Sequence, residues 1–183
     1  YLGESVAELK VNGTPQEVDF DGSIIRLHGV PVGEELTIEV ISHSRYSRTG
    51  QGLHRMHDQA DNATYLYSHL EPSDARRIFP CLEQPDLKAV FHVRMTAPKQ
   101  WQILSNQPEV ERSEDGDLAT VTFAPTPPLS TYLTSFAAVP YQYQERTWTA
   151  PDGSHSAQLR AFARASMFEY LDEEILDLTA QGM

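Results

Sequence analysis

Apolar and polar residues alternate along most of this 183-residue chain. Val6-Ala7-Glu8-Leu9-Lys10-Val11 has the period of two of a half-buried strand and runs into Asn12-Gly13, a turn signal. Val18 and Phe20 precede Asp21-Gly22, and Ile24-Ile25-Arg26-Leu27 follows, which is hairpin spacing. Another strand is predicted over 36–41. The polar, glycine-containing stretch 43–63 has no period and reads as a long loop. Alternation returns at 65–70, where Tyr65, Tyr67 and His69 share one face of a strand. Further strands are expected at 89–95, 101–104, 118–123, 132–139, 141–149 and 158–162, with Asp115-Gly116 and Asp152-Gly153 as hairpin turns. The proline-rich run 124–130 reads as a connection.

The period changes only at the end. Ser166 is a candidate cap for a helix over 166–181, with Phe168, Leu171, Ile175 and Leu178 as its apolar stripe and Gly182 as its stop. The pattern predicts a mainly β fold, a two-sheet antiparallel β-sandwich followed by one C-terminal α-helix. It divides the chain into a β domain over 1–163 and a linker plus helix over 164–183, the helix being the start of another unit.

The densest chemistry lies at 65–91. Glu71 precedes Pro72, and a residue before proline is pushed towards extended geometry. Glu71 is therefore expected at the end of an extended segment. Read from the residues alone, it is a solvated carboxylate, and His69 and Tyr67 are packing or hydrogen-bonding groups. Asp74 with Arg76 and Arg77 reads as a structural ion pair or cap. Cys81 has no neighbouring base and reads as an inert thiol. His54 and His57, with Asp58 and Asp61 nearby, could be read as a metal cluster, which the surrounding glycines oppose.

Leu70-Glu71-Pro72, Asp74-Ala75-Arg76-Arg77, Phe79-Pro80-Cys81, Glu83-Gln84-Pro85 and Lys88-Ala89-Val90-Phe91 follow one another in this stretch. A second block, Pro128-Leu129-Ser130-Thr131-Tyr132-Leu133, lies downstream, and Gly52-Leu53-His54-Arg55 lies upstream. Together these runs resemble the N-terminal domain of the zinc aminopeptidase N family, and most closely its actinobacterial-type members. His69 stands where the family usually has Gln, and Glu83-Gln84 where many members have Asp-Glu.

The resemblance implies a saddle-like β domain with its opening strands missing from this chain. It implies a parent enzyme that removes N-terminal amino acids from peptides, with zinc in a catalytic domain elsewhere. Glu71 aligns with the family glutamate that binds the substrate α-ammonium, with His69 and Tyr67 on the same wall. The implied partners are peptides with a free N-terminus and the missing catalytic domain. The metal motif H-E-x-x-H and the amine-binding G-x-M-E-N loop do not occur in these 183 residues. The fragment is thus expected to hold no cofactor and to be inactive alone. Two other readings remain: a stand-alone β-sandwich module that binds a protein or peptide through 43–63, and an enzyme with its own metal at His54 and His57.

Composition adds little. A net charge of −12 disfavours nucleic acid and anionic membranes as partners. The single cysteine rules out an intrachain disulfide and fits a cytoplasmic location. No apolar run approaches the roughly 18 residues of a membrane span.

Overall fold

The computed structural model describes residues 1–31 and 33–183. As expected, the chain is mainly β, its sheets are antiparallel and one α-helix closes it. The strands are β1 (Ser5–Val11), β2 (Thr14–Pro15), β3 (Asp19–Phe20), β4 (Ile25–Arg26), β5 (Ile38–His43), β6 (Gly52–Asp58) and β7 (Ala63–His69). After them come β8 (Arg94–Pro98), β9 (Gln102–Ser105), β10 (Glu109–Asp115), β11 (Leu118–Phe123), β12 (Phe136–Val139), β13 (Gln142–Thr149) and β14 (Ser156–Ala163). The helix α1 spans Glu173–Gln181.

They form five hydrogen-bonded sets: β2-β1-β5, β10-β11-β8, β6-β7-β12-β9, the hairpin β13-β14 and the short hairpin β3-β4. The central core lies between the second and third sets. β11 shows why: Ala119, Val121 and Phe123 alternate with Leu118, Thr120 and Thr122, and only the first three are buried. They pack with Ala97, Ile103 and Ala138, and Val93, Met95 and Trp101 extend the cluster. In β12 the neighbours Ala138 and Val139 are both buried, so this central strand is covered on both faces. An open cleft of about 810 Å³ remains between the sheets, lined by Leu53, Leu66, Met95, Trp101 and Phe136 among others.

Several elements differ from the sequence reading. Within the expected loop 43–63, Gly52–Asp58 is strand β6, paired along its length with β7 from Gly52↔His69 to Asp58↔Ala63. Its alternation is masked because His54 and Arg55 use ring and aliphatic surface where a strand would carry Val or Ile. β10 has no apolar face and every residue is exposed, so no period betrays it. β8 begins at Arg94; upstream of it, Ala89 makes only an isolated bridge to Leu129. The start of the 132–139 segment is a 3-10 turn, Thr131–Leu133.

The helix also begins later than Ser166. Residues Ala165–Tyr170 form a 3-10 helix, and Asp172 caps α1, its side chain accepting from Glu174 N at 3.1 Å. Glu173 and Glu174 in the first turn suit the helix dipole. Gly182 N closes the end on Leu178 O and Thr179 O. The buried helical residue is Leu176, while Ile175 and Leu178 stay exposed. The helix rests on β13-β14, where Arg146 pairs with Asp177 and Gln144 donates to Leu171 O at 2.7 Å.

Candidate functional site

Strand β7 builds a column of side chains on one face. Tyr65, Tyr67 and His69 lie two residues apart and face Met56, His54 and Gly52 across the ladder. From Tyr65 to His69 the column rises about 13 Å, at ~3.3 Å per residue. Burial falls along it: Tyr65 is fully buried, Tyr67 half-buried, His69 exposed. The Tyr65 ring packs against Tyr141 with centroids 5.4 Å apart, and the Tyr67 ring against His54 at 5.2 Å, both pairs tilted. Gly50 N donates to His54 Nδ1 at 3.1 Å, so that ring carries its proton on Nε2.

Glu71 stands two residues beyond the end of β7, in a turn. Asp74 N closes the turn on Leu70 O at 2.8 Å, and the Glu71–Pro72 bond is cis. Glu71 is exposed and takes no hydrogen bond or ion pair among the described residues.

The turn is braced from below. Asp74 is buried and accepts from Arg77 Nε at 2.5 Å, the expected ion pair. The 3-10 turn Ala75–Arg77 lies against β6 at Gly52, whose φ is +64°. A Cβ there would come within 3.0 Å of Arg77 Cβ, so only glycine lets the two segments approach this closely. Opposite His69 the ladder therefore carries no side chain.

The two sequence blocks 65–91 and 128–133 meet in space. Glu83 accepts from Arg76 N at 2.8 Å and from Thr131 Oγ1 at 2.9 Å. Ser130 Oγ donates to Pro85 O at 2.5 Å, and Ala89 and Leu129 exchange backbone bonds of 3.1 Å. Burial, with the negative Glu83 beside it, pushes the Cys81 thiol up to about 11, consistent with an inert group.

The structure brings Tyr67, His69 and Glu71 to one end of one strand. It separates His54 from His57, which sit three apart on β6 and so point to opposite faces. No group of three or more metal-ligating side chains clusters among the described residues. Sequence reasoning missed Asp58, Asp61, Arg164 and Ser166 as partners; no local signal joins residues about 100 positions apart. No described helix is long and apolar enough to cross a membrane.

Comparison with known proteins gives consistent matches. The Peptidase M1 N-terminal domain family profile matches residues 5–133. Aminopeptidase N of Streptomyces lividans is 36% identical over 184 residues, covering 99% of this chain and 21% of that protein. Legionella pneumophila aminopeptidase A, solved in complex with aspartic acid, superposes with a TM-score of 0.81 at 19% identity. That match covers 93% of this chain and 20% of the Legionella chain. A two-domain M1 zinc metallopeptidase bound to L-arginine superposes with a TM-score of 0.70 at 22% identity, over 90% of this chain and 38% of the other. The chain thus spans about a fifth of the length of the aminopeptidase N relative.

Proposed function

The chain belongs to the M1 peptidase family, of which it forms the N-terminal domain, and we propose that it serves a longer zinc aminopeptidase by capping the substrate cleft and supplying the Glu71 carboxylate. In this reading the parent removes N-terminal residues from peptides, and zinc and the water-activating base lie outside residues 1–183. The 183-residue fragment alone is then inactive. The division into a β domain over 1–163 and a following segment that opens the next domain belongs to the same reading, and so does a cytoplasmic setting, to which the one free cysteine is suited.

The observation that carries it is the placement of Glu71. An exopeptidase must favour a free terminal ammonium over an internal amide. A carboxylate at the closed end of a cleft does so through a charge-assisted hydrogen bond. Glu71 is exposed, takes no partner among the described residues, and is followed by a 3-10 turn held by the Asp74–Arg77 pair. In the same reading His69 and Tyr67, which share one face of β7, form the adjoining wall. A stand-alone module that binds through a long loop at 43–63 has lost its support, since that stretch holds a paired strand.

The test is Glu71→Ala in the full-length enzyme. Loss of one charged hydrogen bond, about 1.5–3 kcal/mol, lowers kcat/KM by roughly 10- to 100-fold. Zinc content and Tm stay near wild type, and Glu71→Gln is affected less. Inhibitors with a free amine weaken far more than amine-blocked ones. Equal weakening of both kinds would show that Glu71 only shapes the turn.

A further inference from the structure

At the turn between β6 and β7, two carboxylates and the Tyr65 hydroxyl hold the consecutive residues 164–166. Asp58 Oδ2 accepts from Ser166 Oγ at 2.6 Å and from Arg164 Nη1 at 3.0 Å. Asp61 Oδ2 accepts from Tyr65 OH at 2.5 Å and from Ser166 N at 3.3 Å. Tyr65 OH accepts in turn from Ala165 N at 3.3 Å. The remaining oxygens bind locally, Asp58 Oδ1 to Ala60 N and Asp61 Oδ1 to Ala63 N, each at 2.9 Å.

Ala165 opens a 3-10 helix, and the first N–H groups of a helix have no acceptor inside it. Arg164, at its cap position, offers no side-chain bond to them. The acceptors come from another strand instead: Tyr65 OH for Ala165 N and Asp61 for Ser166 N. Packing alone does not require this. A buried ring in this place needs no hydroxyl, and buried polar groups are destabilising unless each finds its partner. Here each does, and the phenol that completes the set belongs to the strand that leads to Glu71.

We propose that Tyr65, Asp61, Asp58 and Ser166 form a positioning latch that fixes the segment leaving the β domain against β7, so that the Glu71 end of this strand keeps one orientation relative to the polypeptide that follows. The positioning role rests on the reading of Glu71 as the amine anchor. The latch residues touch no substrate; they act through β7.

The test uses Tyr65→Phe, Asp61→Asn and Ser166→Ala in the full-length enzyme, with two readouts. Tyr65→Phe keeps the ring and leaves no cavity. The first readout is hydrogen exchange in a peptide covering 163–171, expected to speed up about tenfold in Tyr65→Phe as its cap is lost. Peptides from β11 should be unchanged. The second is the ratio of free-amine to blocked-amine inhibitor affinity, expected to fall roughly three- to tenfold through misplacement of the carboxylate. Tyr65→Phe added to Glu71→Ala should lower this ratio no further.

Unchanged exchange in all three variants overturns the latch. Faster exchange with an intact ratio, where Glu71→Ala does lower the ratio, overturns its positioning role. If Glu71→Ala itself leaves the ratio unchanged, the anchor reading fails, and the latch is decided by exchange alone. Should Asp61→Asn fail to fold, Ser166→Ala still cuts the bond to Asp58 while keeping the Tyr65–Asp61 pair.

Discussion

Glu83 joins the two signature blocks, and its removal should destabilise the folded region around Glu71. One oxygen accepts from the backbone N–H of Arg76 at 2.8 Å, the other from the hydroxyl of Thr131 at 2.9 Å. Thr131 and Ala75 are buried, and Glu83 itself is half-buried. Glu83→Ala strips both bonds and leaves two donors without an acceptor. Hydrogen bonds to a charged group are worth about 1.5–3 kcal/mol each. Water can reach a half-buried site and recover part of this, so the expected loss is roughly 2–4 kcal/mol. That is a large share of the ~5–15 kcal/mol that holds a domain folded. Glu83→Gln keeps an oxygen for Arg76 N–H, and its amide can donate to the Thr131 hydroxyl, which rotates to accept. Its loss should be about half that of Ala or less. Urea unfolding with equal m-values measures both. A Glu83→Ala variant within about 0.5 kcal/mol of wild type, the range of an ordinary surface change, would refute the argument. So would a Gln variant as unstable as Ala, since it would mean that the site responds to net charge and not to the two acceptor oxygens.

Cys81, pushed up to about 11, should be alkylated by iodoacetamide at pH 8 roughly a hundred times more slowly than a free thiol of pKa ~8.5; a rate close to that of the free thiol would contradict it. Asp58 and Asp61 are both held below the usual carboxylate range, Asp58 chiefly by the Ser166 hydroxyl and Asp61 chiefly by the Tyr65 hydroxyl. Arg164 and His57 add attraction for Asp58, while Asp58 and Asp61 repel each other. Folded values below unfolded ones mean that this stabilisation is complete above about pH 4 and fades as the pH falls through the folded values. The gap in urea midpoint between wild type and Asp61→Asn should therefore narrow from pH 7 to pH 3, and a constant gap would rule out this linkage. Tyr65, pushed up to about 12, stays a donor throughout.

What the sequence revealed follows the physics of each element. β11 was legible because one face is buried and the other is not, and the β13-β14 hairpin because Asp152-Gly153 marks its turn. β10 was illegible because a fully exposed strand has no reason to alternate; only its partner and the Asp115-Gly116 turn imply it. β6 was hidden by glycine at its first position, yet Gly52 is there because Arg77 occupies the place of a side chain. The helix start was misjudged for a similar reason. Ser166 has the chemistry of a cap, but its hydroxyl is taken by Asp58, and Asp172 caps α1 instead. Local signals name what a residue can do, and distant partners decide which of those things it does.

The stretch 58–83 shows the same division for the site itself. It holds five carboxylates: Asp58, Asp61, Glu71, Asp74 and Glu83. In the sequence, local pattern pairs Asp74 with Arg76 and Arg77 and sets Glu71 before a proline, but names no protein partner for Asp58, Asp61 or Glu83. In the fold four of them are committed. Asp58 and Asp61 hold the segment at 164–166, Asp74 holds Arg77, and Glu83 holds Arg76 and Thr131. Each accepts from donors that have little other choice, so none can turn to a ligand without leaving a donor unpaired. Among the described residues Glu71 takes no such bond. Asp74 and Glu83 brace the 3-10 turn that follows it, through Arg77 and Arg76. A carboxylate kept exposed retains its full acceptor capacity for an incoming ammonium, and binding there breaks no internal bond. The four structural acids are thus spent on bonds within the fold, and the uncommitted fifth is the group on which amine recognition is expected to depend.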